Sequence, residues 1–218
     1  MGLREKWLKD SKLYLILDAQ VNDDDKLFEI AKISVHSGVD ILQVRDKFGS
    51  ARDILKLLSR IQKIPGRRIP VLVNDRLDLA LASGAQGVHL GQEDIPIKIA
   101  RKMMGSKAII GASCQTWSAA INAEREGADY IGFGSVFKTM TKPDRLPMPM
   151  KLLAKIYRDI QIPVFAIGGI NLENIDSILS FGVDRVAVCR AICEAENVSQ
   201  TIKLFKGCLS KEVFCRRN

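Results

Sequence analysis

Aromatic side chains make up only 6% of the 218 residues, and no apolar run approaches the roughly 18 residues that a membrane span requires. Single-stranded nucleic-acid binding favours basic runs interleaved with stacking rings, and no such run is present. Histidine occurs only twice, as His36 and His89, and no Ser-His-Asp or Cys-His arrangement supports covalent catalysis. Five cysteines, an odd number at positions 114, 189, 193, 208 and 215, do not suit a disulfide framework and fit reduced thiols in a cytoplasm. Cys189 and Cys193 stand one helical turn apart, but no His or second Cys pair completes a zinc set, so they read as packing residues. The stretch from Met1 to Lys12 mixes charged and apolar residues and is not a secretory signal. Trp7 and Leu8 within it can lay a short leading helix against the body of the protein.

What is present is a core and a positive charge. A hydrophobic content of 47% lets the chain bury a large core as one domain over 1–218, with a leading helix over 1–12 and a basic tail over 207–218. The formal charge of +8 admits a generally basic surface, a site that collects small phosphorylated molecules, or nucleic acid. The pattern above favours the first two, so neither a nucleic-acid nor a membrane partner is expected, and homo-oligomerisation is left open.

A fourfold rhythm runs through the chain. Gly38-Val39-Asp40, Gly84-Ala85-Gln86, Gly127-Ala128-Asp129 and Gly182-Val183-Asp184 each end a helical pattern and open an apolar run. Glycine just past a helix takes the left-handed conformation without Cβ strain, so each marks a stop before a strand. The strands entered are 41–44, 88–90, 130–133 and 185–188. Four others alternate with them. Ile69-Pro70-Val71-Leu72-Val73 matches Ile162-Pro163-Val164-Phe165-Ala166, and Ser11–Leu15 matches Ser106–Ile110, with proline expected at a strand's first position. Helical spacing separates them, as in Leu27, Phe28, Ile30, Ala31 and Val35. Eight such units in a chain near the lower length limit of about 200 residues predict an α/β (β/α)8 TIM barrel. A doubly wound open sheet is the alternative, and no G-x-G-x-x-G opens the first helix to support it.

Active sites of such barrels form where the strands' C-terminal ends meet their loops. In the run Gln43-Val44-Arg45-Asp46-Lys47, every second side chain of an extended strand shares a face, so Gln43, Arg45 and Lys47 make a poor core and a good anion clamp. Asn74 and Asp75 end the third strand, Asp94 follows the fourth, and Ser113 lies in the fifth. Asp75 and Asp94, without a Cys or His cluster, suit a hard, partly hydrated Mg2+ held together with substrate phosphate. Taken singly, each is as well suited to capping the next helix. Gly168-Gly169 is expected to place bare N–H groups at the opening of helix seven as a phosphate cradle. Thr139, Thr141 and Lys142, with Pro143, Pro147 and Pro149 nearby, read as an ordered flap able to bind a second anionic group. Val188, Cys189 and Arg190 end the last strand. His89 reads as a hydrogen-bonded core histidine. Two anion sites with a magnesium site between them suit the joining of two phosphorylated molecules.

From Leu13 to about Phe205 the chain resembles the thiamine phosphate synthase (thiamine-phosphate pyrophosphorylase) family. The motifs that carry this are QVRDK, VNDRLDLALASGAQGVHLGQEDIP, IIGAS, ADYIGFGSVFKTMTK, FAIGGI and VAVCRAI. The resemblance implies a Mg2+-dependent transferase coupling 4-amino-2-methyl-5-hydroxymethylpyrimidine diphosphate to 4-methyl-5-(2-hydroxyethyl)thiazole phosphate. It implies that Gln43, Lys47, Asn74, Ser113 and Lys142 contact the pyrimidine diphosphate with Arg45 assisting, and that Asp75 and Asp94 hold the metal. Thr139, Thr141, Gly169 and the backbone at Val188–Arg190 would take the thiazole phosphate, with Arg45, Lys47 and Lys142 as the catalytic cations. Two positions depart from the family pattern: Arg190 stands where many members have serine, and Gln115 where relatives commonly have histidine. The histidine's absence separates the chain from thiazole tautomerase, a sister family on the same barrel. A non-catalytic phosphate-ligand sensor is the other alternative.

Overall fold

A computed structural model of the chain describes residues 2–140 and 146–210, the side chain of Leu3 apart. Eight parallel strands, β1 (Leu13–Asp18), β2 (Ile41–Arg45), β3 (Val71–Asn74), β4 (Gly87–Leu90), β5 (Ile109–Cys114), β6 (Tyr130–Phe133), β7 (Val164–Ile167) and β8 (Val186–Val188), close into a barrel in sequence order. Closure is made by β1 against β8, where Leu13 lies opposite Val186 and Leu15 opposite Val188. Helices alternate with the strands, as the (β/α)8 reading expects. Among the described residues, no helix is long and apolar enough to cross a membrane.

The four glycine stops behave as their sequence context predicts. Gly38, Gly84, Gly127 and Gly182 have φ values of 104°, 65°, 92° and 84°. The second set of strands sits further along the chain than expected: Ser11–Leu15 becomes Leu13–Asp18, and Ser106–Ile110 becomes Ile109–Cys114. The prolines explain part of the shift. Pro70 and Pro163 precede their strands and join the ladder through their carbonyls alone, accepting from Leu42 N and Ile131 N at 3.0 Å each.

Alternation along each strand separates two cores. Outward residues such as Leu42, Val44, Val73 and Val88 pack beneath the helices. Inward residues Tyr14, Ile16, Ile41, Leu72, Ile109, Tyr130, Phe165 and Ala187 fill the barrel. Phe165 meets Tyr14 and Tyr130 edge-on, each with centroids 5.5 Å apart, a geometry that favours the ring quadrupoles. The leading helix, Leu3–Asp10, closes the lower end by setting Leu8 and Trp7 against this inner cluster. Arg185 holds it there, donating to the carbonyls of Leu8 (3.0 Å) and Lys9 (3.1 Å) at the helix's C-terminus.

Asp40, the polar residue after Gly38, ties the same end together. Its carboxylate accepts from Lys12 N (2.9 Å), Leu13 N (3.0 Å), Lys206 Nζ (2.7 Å) and Arg67 Nη2 (2.9 Å). Burial pushes this carboxyl up, but the backbone N–H groups and the two cations outweigh burial and hold it below the usual carboxylate range.

Candidate functional site

Above the aromatic floor, the inward positions turn polar. Asp18, Gln43, Arg45, Asn74 and His89 are all buried there, although none belongs to an apolar core. A cavity of about 470 Å3 opens over them. Of the residues singled out from the sequence, Gln43, Arg45, Asn74, Ser113, Thr139, Gly169, Val188, Cys189 and Arg190 line it. Lys47, Asp75 and Asp94 gather beside it, just past β2, β3 and β4. Thr141 and Lys142 lie outside the described residues.

The three-residue clamp on β2 is not a set of unengaged anion binders. Gln43 Nε2 donates to Tyr14 OH at 2.6 Å, and Arg45 Nη1 donates to Asp18 Oδ2 at 2.5 Å and to Gln20 Oε1 at 2.9 Å. Asp18 is fully buried, so Arg45 is a cation with a built-in counter-ion and a fixed direction. Only Lys47, 45% exposed, extends toward the carboxylates, with Nζ 3.1 Å from Asp75 Oδ2. Asp18 was legible in principle: it ends β1 as Asn74 ends β3, and strand-end reading that starts at the second strand passes over it.

The carboxylates resolve their capping alternative. The helices that follow, Leu77–Ser83 and Ile97–Met104, have no side-chain cap hydrogen bond at their N-termini. Asp75 instead takes a φ of 61°, flanked by hydrogen bonds from Arg76 N to Asn74 O (2.6 Å) and from Leu77 N to Asp75 O (3.0 Å). A non-glycine residue held in such a turn costs about 1–3 kcal/mol, and that strain aims the side chain at Asp94 and Lys47. Asp94 is steadied by Gly91 N, which donates to Oδ2 at 2.6 Å. Burial pushes the Asp75 carboxyl up, but the hydrogen bond with Asp94 and the Lys47 ammonium more than offset it, leaving Asp75 low. Burial and the hydrogen bond to Asp75 push Asp94 up. Each carboxyl thus acts on the other, so the pair titrates together, Asp75 below the usual carboxylate range and Asp94 above it.

The glycine pair differs from the cradle expected. The helix after β7 is Ile175–Leu179, so Gly168-Gly169 does not open it. Between them lies an asparagine turn: Asn171 Oδ1 accepts from the backbone of Glu173 and Asn174 at 3.0 Å each, and Asn174 Nδ2 donates to Gly169 O at 2.8 Å. The glycines serve close approach. With φ of +105° and +65°, a Cβ would lie 2.2 Å from Ser135 Oγ at Gly168 and 2.3 Å from Lys138 O at Gly169. The chain after β6 lies against them, with Phe137 N donating to Gly168 O at 2.9 Å. That contact brings Lys138 and Thr139 to the cavity wall.

Arg190 begins the short helix Arg190–Cys193 and pairs with Glu194, a partner the sequence reading did not name. Its Nε is buried without a hydrogen-bond partner among the described residues. Gln115 is exposed after β5. Cys114, Cys189, Cys193 and Cys208 are free thiols, and burial pushes Cys114 up to about 12. Cys193 packs with its thiol 3.5 Å from Ile16 O, as a structural cysteine. Cys215 lies outside the described residues. Among those described, no three His, Cys, Asp or Glu side chains form a metal cluster.

The family model for thiamine monophosphate synthase matches residues 13–192. The chain is 42% identical over 194 residues to thiamine-phosphate synthase of Clostridium novyi (strain NT), covering 88% of this chain and 95% of that protein. It is 41% identical over 189 residues to thiamine-phosphate synthase of Methanobrevibacter smithii, covering 86% and 90%. Thiamine phosphate pyrophosphorylase from Pyrococcus furiosus superposes with a TM-score of 0.83 at 35% identity, over 98% of this chain and 100% of that one. With this fold and this arrangement of strand-end residues, the chain belongs to the thiamine monophosphate synthase family.

Proposed function

We propose that the chain couples 4-amino-2-methyl-5-hydroxymethylpyrimidine diphosphate with 4-methyl-5-(2-hydroxyethyl)thiazole phosphate, giving thiamine phosphate and diphosphate in a Mg2+-dependent reaction. The observation that carries this reading is the paired carboxylates Asp75 and Asp94 with Lys47 3.1 Å from Asp75, set beside a cavity whose wall includes Gly169 and Arg190. One side suits a metal-bound diphosphate and the other a second phosphate.

Asp75 and Asp94 would hold the metal. Hard carboxylate oxygens fit Mg2+. The ion would supply positive charge to the departing diphosphate. In this reaction the thiazole nitrogen bonds to the exocyclic carbon of the pyrimidine, and the bond from that carbon to the diphosphate oxygen breaks, with the electron pair leaving on oxygen. No proton moves at these atoms, so the chemistry needs charge neutralisation rather than a strong base. A pyrimidine cation formed ahead of capture suits such a site. Arg45, pre-aimed by Asp18, and Lys47 are fixed positive groups of the required kind, and Lys142 joins them on its motif.

Gln43, Asn74 and Ser113 are the polar groups available to the pyrimidine, and Thr139, Gly169, Val188, Cys189 and Arg190 those available to the thiazole phosphate, with Thr141 on its motif. Gripping both partners by their phosphates aligns nitrogen with carbon, and such positioning is worth up to about 7–11 kcal/mol. The free thiols support a reducing, cytoplasmic setting.

The deciding assay supplies purified protein with both substrates and Mg2+. Thiamine phosphate should form, and EDTA should stop it. Isomerisation of the thiazole tautomer without any pyrimidine would point to a tautomerase, and binding of both ligands without turnover to a sensor.

A further inference from the structure

The packing and the mechanism above use some of the side chains beneath the cavity but leave the hydrogen bonds that join them unexplained. Beneath the cavity, five side chains from five strands form an unbroken hydrogen-bonded chain. Gln43 Nε2 donates to Tyr14 OH (2.6 Å); Tyr14 OH meets Tyr130 OH (2.9 Å); Tyr130 OH meets His89 Nδ1 (2.8 Å); His89 Nε2 meets Ser113 Oγ (2.9 Å). Apolar groups would have filled this volume at lower desolvation cost, so the polarity itself calls for a purpose.

The hydroxyl and imidazole contacts admit either donor, and the Gln43 amide selects the direction in which every buried proton finds an acceptor. An amide nitrogen can donate but not accept, so Tyr14 OH receives a proton from Gln43. Burial pushes both tyrosine hydroxyls well above their ordinary range, so each keeps one proton to give. The Tyr14 proton must then go to Tyr130 and the Tyr130 proton to His89 Nδ1. A ring nitrogen that accepts at Nδ1 carries its proton on Nε2, which donates to Ser113 Oγ. The Ser113 hydroxyl, already an acceptor, is left to direct its own proton into the cavity it lines.

We infer that the relay Gln43–Tyr14–Tyr130–His89–Ser113 makes Ser113 an obligate hydrogen-bond donor to the bound heteroaromatic ring, with Tyr14, Tyr130 and His89 as positioning residues that select a ring nitrogen carrying a lone pair. This rests on the proposed function, which brings an aminopyrimidine against Ser113. An aminopyrimidine offers such a lone pair. Its oxo counterpart carries N–H at the equivalent ring position and would meet the Ser113 proton head-on.

Two readouts test the inference. The chain holds only two histidines, so 15N NMR of labelled protein, with a His36→Gln variant for assignment, reads the His89 tautomer directly. The expected state is Nε2–H, becoming a mixture in Tyr130→Phe. In binding assays, the preference for the aminopyrimidine diphosphate over its oxo analogue should fall about tenfold in Tyr130→Phe, while thiazole phosphate affinity stays unchanged. Ser113→Ala leaves the floor intact and should lose the same preference. An Nδ1–H tautomer in the unaltered protein, a preference retained in both variants, or an equal loss for both ligands would overturn the relay. Failure of the unaltered protein to bind or couple the pyrimidine would instead overturn the functional reading, and the ligand half of the inference with it. The tautomer measurement is independent of that outcome.

Discussion

Removing the Asp18 carboxylate should destabilise the protein far more than the loss of an ordinary ion pair. The Asp18 side chain is 0% exposed and that of Arg45 8% exposed, with Nη1 and Oδ2 2.5 Å apart. An exposed pair of this kind contributes about 0–1 kcal/mol. Here Asp18→Ala leaves a buried guanidinium without its counter-charge, which typically costs about 3–5 kcal/mol. Gln20 Oε1, at 2.9 Å, still accepts one hydrogen bond, so the lower end is expected. For a chain of this size, about 3 kcal/mol corresponds to roughly 6–12 °C in Tm. Urea titration and thermal melting of Asp18→Ala measure it. The double variant Asp18→Leu/Arg45→Met, which removes both charges, should recover much of the stability, because neither ion is then left unpaired. It should nonetheless lose coupling activity. Inorganic diphosphate with Mg2+ should protect Asp18→Ala more than the unaltered protein, since it offers the orphaned Arg45 a new counter-ion. A loss below about 1 kcal/mol, or a double variant less stable than the single one, would refute the reasoning.

Asp94→Ala should slow coupling by about a hundredfold or more while leaving thiazole phosphate affinity within a few fold, because Asp94 faces Asp75 rather than the Gly169 wall. Equal losses in turnover and in thiazole phosphate binding, measured by steady-state kinetics and calorimetry, would contradict that placement. Asp40→Asn should cost about 2–4 kcal/mol at pH 7, since Lys12 N and Leu13 N lose a charged acceptor. The folded-state Asp40 titrates below its ordinary 3.8, so its contribution is complete above that pH and disappears as pH falls through the lower folded value. Urea titrations at pH 7 and near pH 2 should therefore show the gap between Asp40→Asn and the unaltered protein closing on acidification; a constant gap would sink this account.

Much of the architecture was legible because it follows from local chemistry. Left-handed glycines such as Gly38 and Gly182 mark stops that any folded context must respect, and their alternation with apolar runs counts eight strands. Strand bounds near Pro70 and Pro163 were misplaced by one or two residues because a proline carbonyl can pair from just outside a strand, and no residue pattern shows which carbonyls the neighbour will use. The helix-opening role given to Gly168-Gly169 failed for a similar reason. Two glycines signal that something approaches closely, but only the packed chain shows it to be Ser135 and Lys138 rather than a helix terminus.

The composition of each strand end was enough, by itself, to gather Arg45, Asn74, Ser113 and Arg190 at one mouth, because barrel geometry delivers every strand end to the same place. What those residues do to one another was decided only in three dimensions. Asp18 neutralises Arg45 from a strand that the linear pattern reads as core, and the contact between Asp75 and Asp94 pushes one carboxyl down and the other up. Tyr14 and Tyr130, separated by 116 positions and individually indistinguishable from core aromatics, exchange a hydrogen bond across the barrel. Periodicity reports which face a side chain takes, but partners arise from closure, and closure is a property of the whole chain.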